Sequence, residues 1–207
     1  MNIHNKDHWY DGLFYDKIIA PNQDRAYRVV KSIIPEKAVI LDVGCGTGRL
    51  AFQLGNKFSR YDGIDLSKRN IKLANKNLSS RFTENIVFHH DDVTNFLKSK
   101  NKTYDFAIIS YVIHEIEEDK RENILLELSK SVDKIIIIDY LYPRPNGFWS
   151  FINEIIEFAA GKEHFENFKS YIKKKGISGL AERTGLKIEK EVKNTPSTSH
   201  IVILGKA

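Results

Sequence analysis

The sequence predicts an α/β protein built on a doubly wound, mostly parallel sheet, and three observations carry that prediction. Strand-like runs alternate with helix-like ones five times between Val39 and Tyr140, the pattern of consecutive βα units with right-handed crossovers. The runs Ile86-Val87-Phe88, Phe106-Ala107-Ile108-Ile109 and Ile135-Ile136-Ile137-Ile138 lack polar–apolar alternation, as strands covered on both faces do. A glycine turn, Gly44-Cys45-Gly46-Thr47-Gly48, leaves the first strand and feeds a helix, which makes a crevice for a nucleotide.

Each element has its own signal. Residues 1–20 are aromatic and polar, with Trp9, Tyr10, Phe14 and Tyr15. From Asn22 to Ile34, Ala26, Val29, Val30, Ile33 and Ile34 form a helical stripe that Pro35 stops. Val39–Val43 is the first strand, and the helix that starts at Arg49 runs to about Lys57. Arg60–Asp65 is the second strand, and Ser67 is a good N-cap for a helix carrying Ile71, Ala74 and Leu78 on one side. Asn85–His90 is the third, followed by Asp91-Asp92 and a short helix over Val93–Lys98. Tyr104–Ser110 is the fourth, Asp119–Ser131 a helix with Ile124, Leu125 and Leu128 on one face, and Lys134–Tyr140 the fifth strand. Pro143 and Pro145 then break the pattern, and Asn146–Lys175 reads as mostly helical. In it Phe148, Phe151, Ile152 and Ile155 form a stripe that reads as core or lid packing and leaves a membrane-facing surface open. A short helix over Gly179–Thr184 and an antiparallel hairpin of Leu186–Val192 with His200–Leu204 close the chain. The whole reads as a single domain, residues 1–207, with a helical cap at 1–35 and a helical lid at 143–175.

Composition narrows the classes. Lys and Arg number 32 against 27 Asp and Glu, and the excess gathers in Lys162–Lys193. No aromatic–basic interleaving accompanies it, so a solvated helix face is favoured over a nucleic-acid surface. The only cysteine, Cys45, rules out disulfides and Cys/His metal clusters, and its place in the tight turn reads as a small residue rather than a nucleophile. The start lacks a signal-peptide h-region, and no apolar run nears the ~20 residues of a membrane span, so a cytoplasmic protein is expected. His89 and His90 beside Asp91 and Asp92 suggest a metal only superficially. Adjacent strand residues point to opposite faces, so the four cannot converge, and no metal site is expected.

The glycines of the first turn fall at every second position, and an acid, Asp42, sits inside the end of the strand. Dinucleotide folds place an apolar residue there and space their glycines G-x-G-x-x-G. Val39–Gly48 instead resembles the first motif of the class I, Rossmann-like S-adenosylmethionine (SAM) dependent methyltransferases. Tyr104–Glu115 resembles their fourth-strand motif, and Gly179–Leu186 with the closing hairpin resembles their ending. The nearest flavour is the small-molecule group that includes ubiquinone and menaquinone methyltransferases. The resemblance implies a seven-stranded sheet with the last strand antiparallel and helices on both faces. It also implies SAM as cofactor, with S-adenosylhomocysteine as product.

Asp65 ends the second strand, 21 positions past Gly44, where an acid after a nucleotide loop takes the ribose hydroxyls. By resemblance, the cofactor is held by Asp42, Gly44, Cys45, Gly46, Thr47, Gly48, Asp65 and Leu66. Asp92 reaches the adenine amino group, in preference to Asp91, and Val93 packs near the ring. Ser110 and Tyr111 lie under the methionine part. His114 is a candidate general base for the acceptor, with a packing role its equal competitor. Tyr15, with Tyr10 as its rival, is a candidate near the sulfonium, either by cation–π contact or at the acceptor site. The expected activity is in-line methyl transfer to a small-molecule acceptor of unknown identity. A lipid, quinone or RNA acceptor, a non-catalytic SAM-binding protein and an NAD-dependent oxidoreductase remain as alternatives. Asp42 and the glycine spacing speak against the last. The missing Asn/Asp-Pro-Pro-Tyr/Phe after the fourth strand speaks against methylation of adenine or glutamine amino groups.

Overall fold

The computed structural model describes residues 23–81, 84–99, 103–195 and 197–206. Tyr10 and Tyr15 lie outside them. The elements are α1 (Asp24–Ile33), β1 (Ala38–Val43), α2 (Arg49–Leu54), β2 (Phe58–Asp65), α3 (Lys68–Ser79), β3 (Ile86–His90), α4 (Val93–Ser99), β4 (Tyr104–Ser110), α5 (Glu118–Ser131), β5 (Val132–Tyr140), α6 (Phe148–Ala160), α7 (Lys162–Lys173), α8 (Gly176–Thr184), β6 (Lys187–Lys193) and β7 (Ser199–Gly205). The seven strands form one sheet in the order β3-β2-β1-β4-β5-β7-β6. β7 runs antiparallel to both its neighbours, as the resemblance implies. The chain groups into two compact units that divide within β4, after Ile108.

In the first unit β1, β2 and β3 pair in parallel, and the register sets Val43 beside Ile64 and Ile64 beside His89. Three strand ends are therefore level. Ile40, Leu41, Tyr61 and Ile64 are fully buried, the burial on both faces that the unbroken apolar runs predict. Ser67 caps α3 by accepting from the Asn70 amide at 3.1 Å, as its residue type predicts. The helix after the glycine turn is shorter than expected, because α2 stops at Leu54 and Gly55–Lys57 forms a 3₁₀ turn. Gly55 has φ +65, a left-handed conformation that ends the helix.

In the second unit β5 carries the buried run Ile135–Ile138 and pairs with β7, from Ile135 against Leu204 to Tyr140 against Ser199. Ile124, Leu125 and Leu128 of α5 are buried, as its spacing predicts. Of the two expectations for α6, core or lid packing, the structure overturns core packing. Phe148, Phe151 and Ile155 are 68%, 62% and 48% exposed, and Trp149 and Phe158 are exposed as well. The buried residue of α6 is Glu157. The helix turns its one inward polar group to a buried polar cluster, and the apolar stripe therefore faces out. Among the described residues no helix is long and apolar enough to cross a membrane.

Candidate active site

The glycine turn is built from the backbone outward. Past Val43 the chain leaves the sheet, and the amides of Gly44 and Cys45 both donate to the Ile64 carbonyl, at 2.8 and 3.0 Å. Gly48 has φ +81, and a Cβ there would sit 2.6 Å from the Phe88 ring, so only glycine lets the turn lie on β3. Gly46 has φ +55 but nothing within 4 Å of where a Cβ would stand. Its face is thus left-handed and open. Cys45 is buried against Gly63, and burial pushes its thiol well above the usual value, which removes it as a nucleophile. Thr47 is buried in the same loop. Just beyond it, Arg49 makes a two-pronged ion pair with Asp24 at 2.8 and 2.9 Å, tying α1 to the start of α2.

Two acids frame this loop. Asp65 accepts from the Gly46 amide at 2.8 Å through one oxygen and from the Ser67 amide at 2.7 Å through the other. Asp42 is 1% exposed and accepts from the Tyr61 hydroxyl, while its Oδ1 has no hydrogen-bond partner. Burial raises its pKa to about 7, against the lowering effect of Tyr61. After β3, Asp92 caps α4 by accepting from Thr94 and Asn95 amides at 2.8 and 3.2 Å, and Val93 is buried. Asp91 accepts from the Asp92 amide. His89 is bonded to Asp62 and His90 to the Leu66 carbonyl, each at 3.0 Å, so the two histidines diverge as strand geometry requires.

The second unit holds a different assembly. Ser110 ends β4 and is buried. Tyr111 follows with φ +55, a strained conformation for a side chain of its size, held by its amide donating to the Ile138 carbonyl at 2.7 Å. Its hydroxyl is 2.9 Å from that of Ser199. His114, three residues on, is 2% exposed. Its Nδ1 is 2.7 Å from Asp139, the acid that follows the isoleucine run of β5. Its Nε2 is 3.5 Å from Glu157 of α6 and 4.0 Å from Glu115. His164 of α7 reaches Glu157 at 2.5 Å and Glu115 at 3.8 Å. Tyr140 donates its hydroxyl to the other oxygen of Glu157 at 2.5 Å. Beneath, the buried Arg121 guanidinium donates to the carbonyls of Ile116, His114 and Asn167 at 2.8, 3.2 and 2.6 Å. Rings of Tyr140, Phe168 and Tyr171 enclose the His114 imidazole.

The electrostatics follow from these contacts. Burial disfavours a charged His114, but Asp139 and Glu157 outweigh it and hold its pKa well above the usual value. Burial likewise works to raise Glu157, yet His114 and His164 overcome it and lower that carboxyl. Glu115 is pushed up to about 7, by desolvation first and with the two imidazoles opposing. Glu115 is thus the carboxyl of this cluster that titrates near neutrality.

Residues 40–134 match a family described as the methyltransferase domain. The domain is 31% identical over 123 residues to the malonyl-[acyl-carrier protein] O-methyltransferase of Halalkalibacterium halodurans, covering 54% of this chain and 42% of that one. It is 29% identical over 124 residues to the putative methyltransferase YqeM of Bacillus subtilis, covering 59% and 48%. The chain thus spans less than half the length of these two curated relatives. Its fold is that of the magnesium protoporphyrin IX methyltransferase ChlM of Synechocystis, with TM-score 0.65 at 18% identity, over 96% of this chain and 91% of that one.

In the first unit the structure gathers Asp42, the glycine turn and Asp65 at the ends of β1 and β2, with Leu66, Asp92 and Val93 following β2 and β3. Sequence reading found His114 but missed Asp139, Glu157, His164 and Arg121. For Asp139 a signal existed, because an acid closing a run of four isoleucines repeats the position of Asp42 in β1. Glu157 and His164 carry none, since a glutamate on an apolar helix and a histidine on a basic one both read as solvent-facing.

Proposed function

We propose that this chain is a SAM-dependent methyltransferase that moves a methyl group to a small-molecule acceptor by in-line displacement. The observation that carries the reading is the cradle at the level ends of β1, β2 and β3. There Gly46 offers an open left-handed backbone face, Asp65 bonds that glycine's amide, and Asp42 keeps a buried oxygen without a partner. These features fit SAM, an adenosine with an amino-acid end. The turn from Gly44 to Gly48, with Asp42, would hold the amino-acid end. Asp65 would take the ribose hydroxyls, and Leu66, Asp92 and Val93 would line the adenine. When bound, the cofactor supplies an electrophilic methyl on a sulfonium. The chain's own contribution is positional, and holding two reactants in line is worth roughly 7–11 kcal/mol.

His114 is the candidate general base for the acceptor's proton. His114 has Asp139 behind it, as general bases have an orienting acid. Incubation with radiolabelled SAM and fractionated small molecules, lipids and RNA tests both halves of the reading. Label is expected in a small-molecule fraction, and Asp65→Ala is expected to weaken SAM binding at least tenfold by titration. Unchanged SAM affinity in Asp65→Ala would remove the cofactor assignment, and label in RNA alone would replace the acceptor.

A further inference from the structure

Side chains from three separate segments meet in the second unit. His114 and Glu115 come from the segment after β4, Glu157 from α6 and His164 from α7. The donor atoms of His114, Glu115 and His164 all lie within 4.8 Å of one another. The Nε2 atoms of His114 and His164 are 4.0 and 3.8 Å from one Glu115 oxygen, and 3.5 and 2.5 Å from one Glu157 oxygen. Donors set ~2.0–2.1 Å from a tetrahedral ion stand ~3.3–3.4 Å apart, so the Glu115 pairs would close by about an ångström or less and the His164–Glu157 hydrogen bond would open by about as much. We propose that His114, His164, Glu157 and Glu115 form a binding site for a first-row divalent transition-metal ion, with Zn²⁺ the best fit.

The surroundings are those of a metal site. Asp139 accepts from the Nδ1 side of His114, which fixes the ring and presents Nε2, the carboxylate–histidine–metal arrangement. Tyr140 plays the matching part for Glu157, bonding the oxygen that does not face the imidazoles. Arg121 holds the backbone carbonyl of His114 from below. Two imidazoles, two carboxylates and no thiolate select a borderline ion over Ca²⁺ or Mg²⁺, which prefer all-oxygen shells. Glu115 is 31% exposed in its side chain, whereas His114, His164 and Glu157 are all below 10%, so an ion enters past Glu115. A divalent ion would also offset the charge of the carboxylates packed against the two imidazoles. It would join α6 and α7 to the segment after β4.

The test is independent of methyl transfer, because ion binding is read on the whole chain without SAM. The protein, stripped with a chelator, is titrated with ZnCl₂ calorimetrically at neutral pH. One equivalent is expected to bind and raise the unfolding temperature. Substituted Co²⁺ is expected to give the intense visible bands of a tetrahedral site. His164→Ala, or His164→Gln if the first fails to fold, is expected to weaken Zn²⁺ at least tenfold and abolish those bands. Asp139→Asn, which touches no ion, is expected to weaken it roughly 10–100-fold. Absence of stoichiometric Zn²⁺ binding by the unaltered chain overturns the proposal. So does equal affinity in the His164 variants, which would place the ion elsewhere.

Discussion

At the level ends of β1, β2 and β3 the polar groups are mostly backbone, contributed by residues adjacent in sequence. Gly44, Cys45 and Gly46 donate amides, Ile64 accepts two of them, and Asp65 accepts the third. Around His114 they are side chains, brought in by the segment after β4 and by β5, α6 and α7. The first region is ordered by register, since parallel strands of matched length bring the turn and Asp65 level. The second is ordered by mutual need, since each buried charge is tolerable only because another meets it. Side-chain networks of that kind are all-or-none, whereas a glycine turn changes piece by piece.

The contrast can be broken most sharply at His114. If its cluster does the proton work, His114→Ala lowers turnover about 10²–10⁴-fold while SAM affinity stays within twofold, read by single-turnover kinetics and titration. A collapse of SAM affinity would instead make His114 structural. A second effect concerns stability. Arg121 is 2% exposed and bonds three carbonyls, so Arg121→Ala should cost about 3–5 kcal/mol in denaturant unfolding. A loss under 1 kcal/mol would mean the network is not cooperative.

The first region gives smaller, pH-dependent effects. Buried Asp42 has its pKa raised from 3.8 to about 7, so the folded chain keeps a proton that the unfolded chain has released. Its contribution is fully present below pH 3.8 and is lost as pH rises to about 7, at a cost on the order of 4 kcal/mol. Asp42→Asn should flatten the fall in thermal stability across that window, and an unchanged slope would assign the fall elsewhere. The smallest effect is at the α3 cap, where Ser67→Ala should cost about 1 kcal/mol in equilibrium unfolding without touching turnover.

The sequence by itself determined the sheet, because unbroken β-branched runs can be satisfied only between two covering layers. It determined the glycine turn too, since positive φ at Gly46 and Gly48 is a local demand that a local residue type answers. Asp65 was legible for the same reason, lying a fixed number of residues past that turn. Only the tertiary structure decided what surrounds His114. Asp139, Glu157 and His164 lie 25, 43 and 50 residues beyond it, and no periodicity links residues that meet through separate helices and strands. Nor did spacing decide the face α6 turns inward. An amphipathic pattern ranks faces by apolar content, yet a buried imidazole pair requires a carboxylate partner, so the helix buries Glu157 and exposes its phenylalanines.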